Sequence, residues 1–238
     1  MNVISVILMA LVSFSLHANS MNVESTFTFE GRAFDLATNA LLYKERHLVK
    51  LDKNNQYIHS SVEYSDSNDA VFAKKTLDFS DNLMTPMVDF DDERVGTRVD
   101  VIKRDGAIDV RYKSASDEAS ALIKAVDMMV VDAGFDQMMI QYWDRLLKGD
   151  ELEFEFLAPT RAQLISFSLK PIKQDAATIN LALSPSNFIL GLLFDPIKLT
   201  YDKSTKRILI YEGLTNIEKF EDGKSTGDYH VARIEYSY

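Results

Sequence analysis

Four histidines occur in the chain, and three lie beyond the first twenty residues: His47, His59 and His230. Imidazole is the side chain that titrates nearest neutral pH and the commonest metal ligand, so these positions are where chemistry would be sought first. His47 and His59 flank the turn residues Asp52-Lys53-Asn54-Asn55. A hairpin that matches apolar faces pairs His47 with Ser60 and Leu48 with His59, which sends the two rings to opposite faces. His230 shares a strand face with Ala232 and Ile234, where a hydrogen-bonded core histidine is expected. The acidic runs Asp89-Phe90-Asp91-Asp92-Glu93 and Asp66-Ser67-Asn68-Asp69 offer oxygen ligands. Neither has the spacing or glycine of a calcium loop, and adjacent acids on a strand diverge. They read as solvated strand ends or turns, so no metal or cofactor is expected.

Other catalytic patterns are missing from the sequence. None of the nine glycines lies two residues from another, so no G-x-G phosphate cradle occurs, and neither G-x-S-x-G nor H-E-x-x-H is present. Zero cysteines remove thiolate nucleophiles, thiolate metal sites and disulfides together. The expectation is a protein that is not an enzyme. The residues that suit ligand binding are Phe135, Met138, Met139, Tyr142 and Trp143. Large aromatic and adaptable thioether side chains can line an apolar cavity for a lipid or other apolar ligand, although the same stripe can also be plain core.

The elements that position these residues are mostly strands. Leu41, Tyr43, His47, Val49 and Leu51 share one face, with Lys44, Arg46 and Lys50 opposite. Such alternation marks antiparallel strands with one solvated side. Asp105-Gly106 predicts a two-residue hairpin turn. Its register sets Val101 opposite Val110, Val99 opposite Tyr112 and Asp100 opposite Arg111. From Phe135 to Leu147 the period changes to three and four, predicting an amphipathic helix with Asp132 at its N-cap and Gly149 past its end. Ser116 is expected to cap a second helical stretch carrying Leu122, Ile123, Val126 and Met129. Strands then return, interrupted by Phe188–Phe194, a run expected to be buried from both sides or to form a short helix. The fold class is α+β, mainly β: one strongly bent antiparallel sheet, a half-barrel, with one or two helices covering its concave face.

The first segment predicts export. Val3 to Leu16 carries no charge and is shorter than the roughly 20 residues a membrane-spanning helix needs. Ala18-Asn19-Ser20 suits cleavage before Met21, giving a signal peptide over 1–20 and one β-rich domain over 21–238, with a retained anchor as the alternative. The expected location is the periplasm. Residues 1–20 hold no Lys, Arg, Asp or Glu, so the formal charge of -10 resides in the remainder. That sign disfavours nucleic acid and limits membrane contact to a transient one. It does not identify a protein partner.

Two segments carry a resemblance. Val130-Val-Asp-Ala-Gly-Phe-Asp136, with Trp143, Leu146, Gly149 and the alternating Leu152, Phe154 and Phe156, is one. The other is Asp195-Pro196-Ile197 with Tyr201-Asp202, Tyr211-Glu212-Gly213 and Thr215-Asn216-Ile217. Together they resemble a family of exported bacterial proteins of unknown function, which implies no activity. The order of strands and covering helix more loosely resembles the half-barrel of the periplasmic lipoprotein carriers (LolA-like). The expectation that follows is a periplasmic carrier of an apolar or amphipathic ligand. An envelope interaction or scaffold protein without a small ligand is the alternative. Ala232, Ile234, Tyr236 and Tyr238 also alternate up to a terminal aromatic, as in the last strand of an outer-membrane β-barrel.

Overall fold

The computed structural model describes residues 25–186 and 195–238. The expected signal peptide and the Phe188–Phe194 run lie outside the described residues. A first meander comprises β1 (Ser25–Asp35), β2 (Leu41–Leu51), β3 (Tyr57–Ser65), β4 (Val71–Asp78), β5 (Met87–Asp92), β6 (Thr97–Arg104), β7 (Ala107–Lys113) and β8 (Glu118–Lys124). The short β9 (Met129–Val130) and helices α1 (Gly134–Gln141) and α2 (Trp143–Leu147) follow. Then come β10 (Leu152–Ala158), a single 3-10 turn at Pro159–Arg161, β11 (Gln163–Gln174) and β12 (Thr178–Pro185). The series ends with β13 (Ile197–Asp202), β14 (Ile208–Glu221) and β15 (Lys224–Ser237).

The fifteen strands of the described residues all belong to one sheet, in the order β8-β7-β6-β5-β4-β3-β2-β1-β15-β14-β13-β12-β11-β10-β9. Neighbours are antiparallel except β9, which runs parallel to β10. The first and last strands are thus central neighbours, Ala33 facing Ile234 across the β1–β15 ladder. Opposed residues share a face, so the inward side can be followed from strand to strand. It carries Val110, Val101, Val88, Leu77, Ala33, Ile234, Leu199, Leu181 and Leu169, all buried. Two core clusters result, and Tyr211 packs against both. The sheet curls back on itself, because Ala119, Ala121 and Ile123 of β8 pack on the same core as Leu157, Ala162 and Leu164 of the β10–β11 hairpin. No ladder joins β8 to β9 or β10 among the described residues, so the sheet is barrel-like but open.

Both helices are too short to persist alone and are held by packing. Met138, Met139, Trp143 and Leu146 are at most 3% exposed, and each such burial contributes roughly 1.5–3 kcal/mol. The expected single helix is instead broken at Tyr142, whose φ of -103° leaves the helical range. An apolar stripe specifies which residues are buried; it does not specify an unbroken backbone ladder. Asp132 does not cap the helix. Ala133 holds that position, and Asp132 takes a positive φ of 45°. Its carboxylate accepts the adjacent Ala133 N–H at 2.8 Å and the Lys75 ammonium rather than an N–H of the first helical turn.

The Asp105-Gly106 hairpin has the expected register at all three pairs, with φ of 45° and 80° at its two turn residues. The second helix is overturned. Residues 118–124 form β8, because Ala119, Ala121 and Ile123 alternate inward against β7 and leave Leu122 exposed. The β2–β3 register is also shifted by two, pairing His47 with Val62 and Lys50 with His59. A shift of two preserves the face, so the two imidazoles still point to opposite sides. Asp92 is no solvated strand end. It is 1% exposed and held by Arg94 through contacts of 3.0 and 2.6 Å, while the Arg94 guanidinium stacks 3.4 Å from the Phe72 ring centre.

Candidate functional site

The inward face is not uniformly apolar. The β15–β1–β2–β3 registers set Tyr236, Gly31, Glu45 and Tyr64 side by side. A Cβ at Gly31 would lie 2.9 Å from the Tyr236 ring and 3.0 Å from Glu45 Oε2, so the missing side chain is what leaves room for the carboxylate. Glu45 is 5% exposed. Its Oε2 lies 3.0 Å from His47 Nε2 and accepts the Tyr236 hydroxyl at 3.4 Å. Burial, reinforced by the Glu45 charge, holds the Tyr236 phenol far above its ordinary pKa, so it stays a donor.

The next row along the sheet runs Phe29, His47, Val62 and Lys75. Phe29 stacks on the His47 ring at 4.1 Å and 10°. Lys75 is held by both oxygens of Asp132, at 2.8 and 3.1 Å. Burial works against the ammonium, but the Asp132 charge and hydrogen bond outweigh it, and the pKa of Lys75 is raised. Asp136 of α1 accepts the Tyr201 hydroxyl at 2.6 Å. Burial raises its pKa, opposed by that hydrogen bond and by the nearby His47. Helix α1 and the turn that precedes it therefore place two carboxylates, Asp136 and Asp132, over a row of inward side chains from the sheet.

Beyond Phe29 the inward row reaches water. Phe27, Phe29, Tyr57 and Tyr238 form an aromatic mouth: Phe27 lies 6.0 Å from both Phe29 and Tyr57, and Tyr238 stacks 4.8 Å from Phe29. The turn between β13 and β14 supplies a cation there. Asp202 braces that turn by accepting the Ser204 and Thr205 N–H groups at 3.0 and 2.7 Å and both hydroxyls. The Ser204 hydroxyl bond, with the others, holds the Asp202 carboxyl down to about 2. Arg207 then lies 4.9 Å from the Phe27 ring centre and 4.6 Å from that of Tyr238. Among the described residues no carboxylate pairs with it, whereas ten Lys or Arg ion pairs form elsewhere.

The stripe expected to line a cavity is packed into the core. Met138 and Met139 are fully buried, and Trp143 sits edge-on to Tyr201 at 6.1 Å. Phe135 lies 5.7 Å from Phe154, and Tyr142 is half-buried beneath Arg145. Two clefts, of about 270 and 300 Å³, are lined by other residues. His230 lies 5.9 Å from the Tyr43 ring, and no hydrogen bond to its imidazole occurs among the described residues. There, no three or more His, Asp or Glu side chains are arranged to hold a metal. Glu45, Lys75 and Arg207 were not singled out from sequence, Asp132 was expected only as a helix cap, and Asp136 figured only in the Val130–Asp136 block. The readable signal was parity: Glu45 alternates with Tyr43 and His47, and Lys75 with Ala73 and Leu77.

No family model matches the chain, and no curated protein matches it. One solved structure is similar in outline, "Crystal Structure of Beta-barrel-like Protein of Domain of Unknown Function DUF1849 from Brucella abortus". It shares 7% identity with a TM-score of 0.43, over 89% of this chain and 94% of that one. At that score the likeness decides neither family nor activity.

Proposed function

We propose that this is an exported periplasmic protein that binds an amphipathic ligand without transforming it, its bent sheet serving as a half-barrel. The ligand's apolar part lies on the aromatic mouth and its anionic head meets Arg207. The observation that carries this reading is the Arg207 guanidinium, held over Phe27 and Tyr238 with no carboxylate partner among the described residues. Many Lys and Arg side chains lack a carboxylate partner among the described residues, but Arg207 combines that with a seat over two aromatic rings that reach water. Arginine presents a planar donor fork suited to carboxylate or phosphate, and aromatic faces keep it in place. The helix stripe takes the role of core that orients α1. The outward side of β15 carries the Arg233–Glu235 pair, which favours a water-facing surface over the lipid-facing band of an outer-membrane barrel.

Calorimetric titration with palmitate, hexadecanol and hexadecylamine below their aggregation limits tests this. Palmitate should bind, hexadecanol should bind about tenfold more weakly, and Arg207→Gln should bring palmitate down to the alcohol's affinity. Absence of palmitate binding, or affinity indifferent to Arg207→Gln, overturns the reading.

A further inference from the structure

A second, chemically different place lies at the seam where the sheet fails to close. The Pro159–Arg161 turn, the β7–β8 connection and the β14–β15 hairpin enclose a cleft of about 270 Å³. Its walls are built locally. Ser114 Oγ accepts the Ser116 and Asp117 N–H groups at 3.3 and 3.0 Å, which fixes the β7–β8 connection. Glu218, only 7% exposed, accepts the Gly227 N–H at 3.2 Å and the Ser225 hydroxyl, so its carboxylate is committed to the hairpin. The hydroxyls of Tyr112 and Tyr229 approach to 3.5 Å across the cleft. Ser116, Thr160 and Arg161 also line it, and their side chains have no hydrogen-bond partner among the described residues.

We infer that this cleft binds one ring of a neutral, polyhydroxylated ligand, a sugar unit. Side-chain hydroxyls donate and accept equally well, so four of them match a ring of hydroxyls in either sense, and Arg161 adds donors for ring oxygens. The lining is mostly polar, which gives an acyl chain little to pack against. The volume lies near the lower end for small-molecule sites, roughly 300 Å³, as suits a single ring. Asp117 and Glu218 border the cleft beside Arg161, offsetting its charge and disfavouring an anionic ligand. Burial keeps the Tyr229 phenol protonated well above neutral pH, so its hydrogen-bonding role does not change over the working range.

Saturation-transfer NMR with glucose, galactose, N-acetylglucosamine, myo-inositol and glucuronate tests the inference on the full chain, with affinities from calorimetry. At least one neutral ligand should bind saturably. Tyr229→Phe and Arg161→Gln should each weaken it by about tenfold, one strong hydrogen bond's worth, with an unchanged melting curve and unchanged palmitate affinity. Arg161 is exposed, so its replacement leaves the fold intact even if Tyr229→Phe does not. Binding by no neutral ligand, binding by glucuronate alone, or affinity within about twofold of wild type in Arg161→Gln overturns it. Palmitate affinity reports on the mouth separately, so failure here leaves that reading standing.

Discussion

Replacing Asp132 with Asn isolates the charge of the Lys75 pair. Asn retains an oxygen for the Ala133 N–H, which Asp132 Oδ1 accepts at 2.8 Å, and tolerates the positive φ of 45°. What disappears is the counter-charge to an ammonium whose side chain is 8% exposed. Removing one partner of a buried pair costs roughly 3–5 kcal/mol, because the other charge is left uncompensated. Asp132 is itself 29% exposed, so water already screens part of the attraction and the loss falls to about 2–3 kcal/mol. In a domain of this size each kcal/mol moves Tm by roughly 2–4 °C, so the variant should melt about 4–12 °C lower. Lys75→Met should cost less, since the stranded carboxylate can turn to water. Its thioether stem can also cover the Tyr64 and Phe90 rings, 5.9 and 6.0 Å from Nζ in the wild type. The double variant should then recover most of the loss seen in Asp132→Asn. The raised pKa of Lys75 sets the pH window. The pair's contribution is full below the ordinary lysine value of about 10.4 and fades only as pH rises through the higher folded value. Thermal and urea melts of the four proteins suffice. An Asp132→Asn variant within about 2 °C of wild type, or a double variant no more stable than Asp132→Asn, refutes the assignment of a buried, charge-dependent clamp.

Two further outcomes follow from the same region. Gly134→Ala would place a Cβ 2.0 Å from the Met84 carbonyl oxygen, which also accepts the Val131 N–H at 2.9 Å. Backbone cannot step aside as a side chain can, so a loss of about 3 kcal/mol is expected in denaturant melts, and a neutral result would contradict the packing of α1 onto the 82–86 loop. Asp136→Asn removes a carboxyl whose pKa burial raises in the fold, while keeping an oxygen for Tyr201. The folded state holds that proton to higher pH than the unfolded chain, so wild-type stability falls as pH rises through the interval above about 3.9. The variant's melting advantage should therefore be larger near pH 8 than near pH 4, and the reverse order would show that Asp136 is stabilised as an anion.

Sequence alone determined the local features of this protein. Asp105-Gly106 needs two positive φ angles, and that requirement selects one turn and with it the whole β6–β7 register. The spacing of Met138, Met139, Trp143 and Leu146 determined which residues the helices bury, because a helix surface repeats every three to four positions. Alternation likewise determined that His47 and His59 face opposite ways, a conclusion that survived a register shift of two. Tertiary structure decided everything that joins distant segments. Residues 118–124 became β8 because β7 offered an unpaired edge, a partner that no local period reveals. The joining of β1 to β15 brought Tyr236 to Glu45, 191 residues away, through the gap left by Gly31. Lys75 and Asp132 are 57 residues apart, and nothing in either neighbourhood names the other. Parity tells which face a charged side chain takes. Only the closing of the sheet against α1 determines which opposite charge it meets there, because that meeting depends on the sum of every register shift between them.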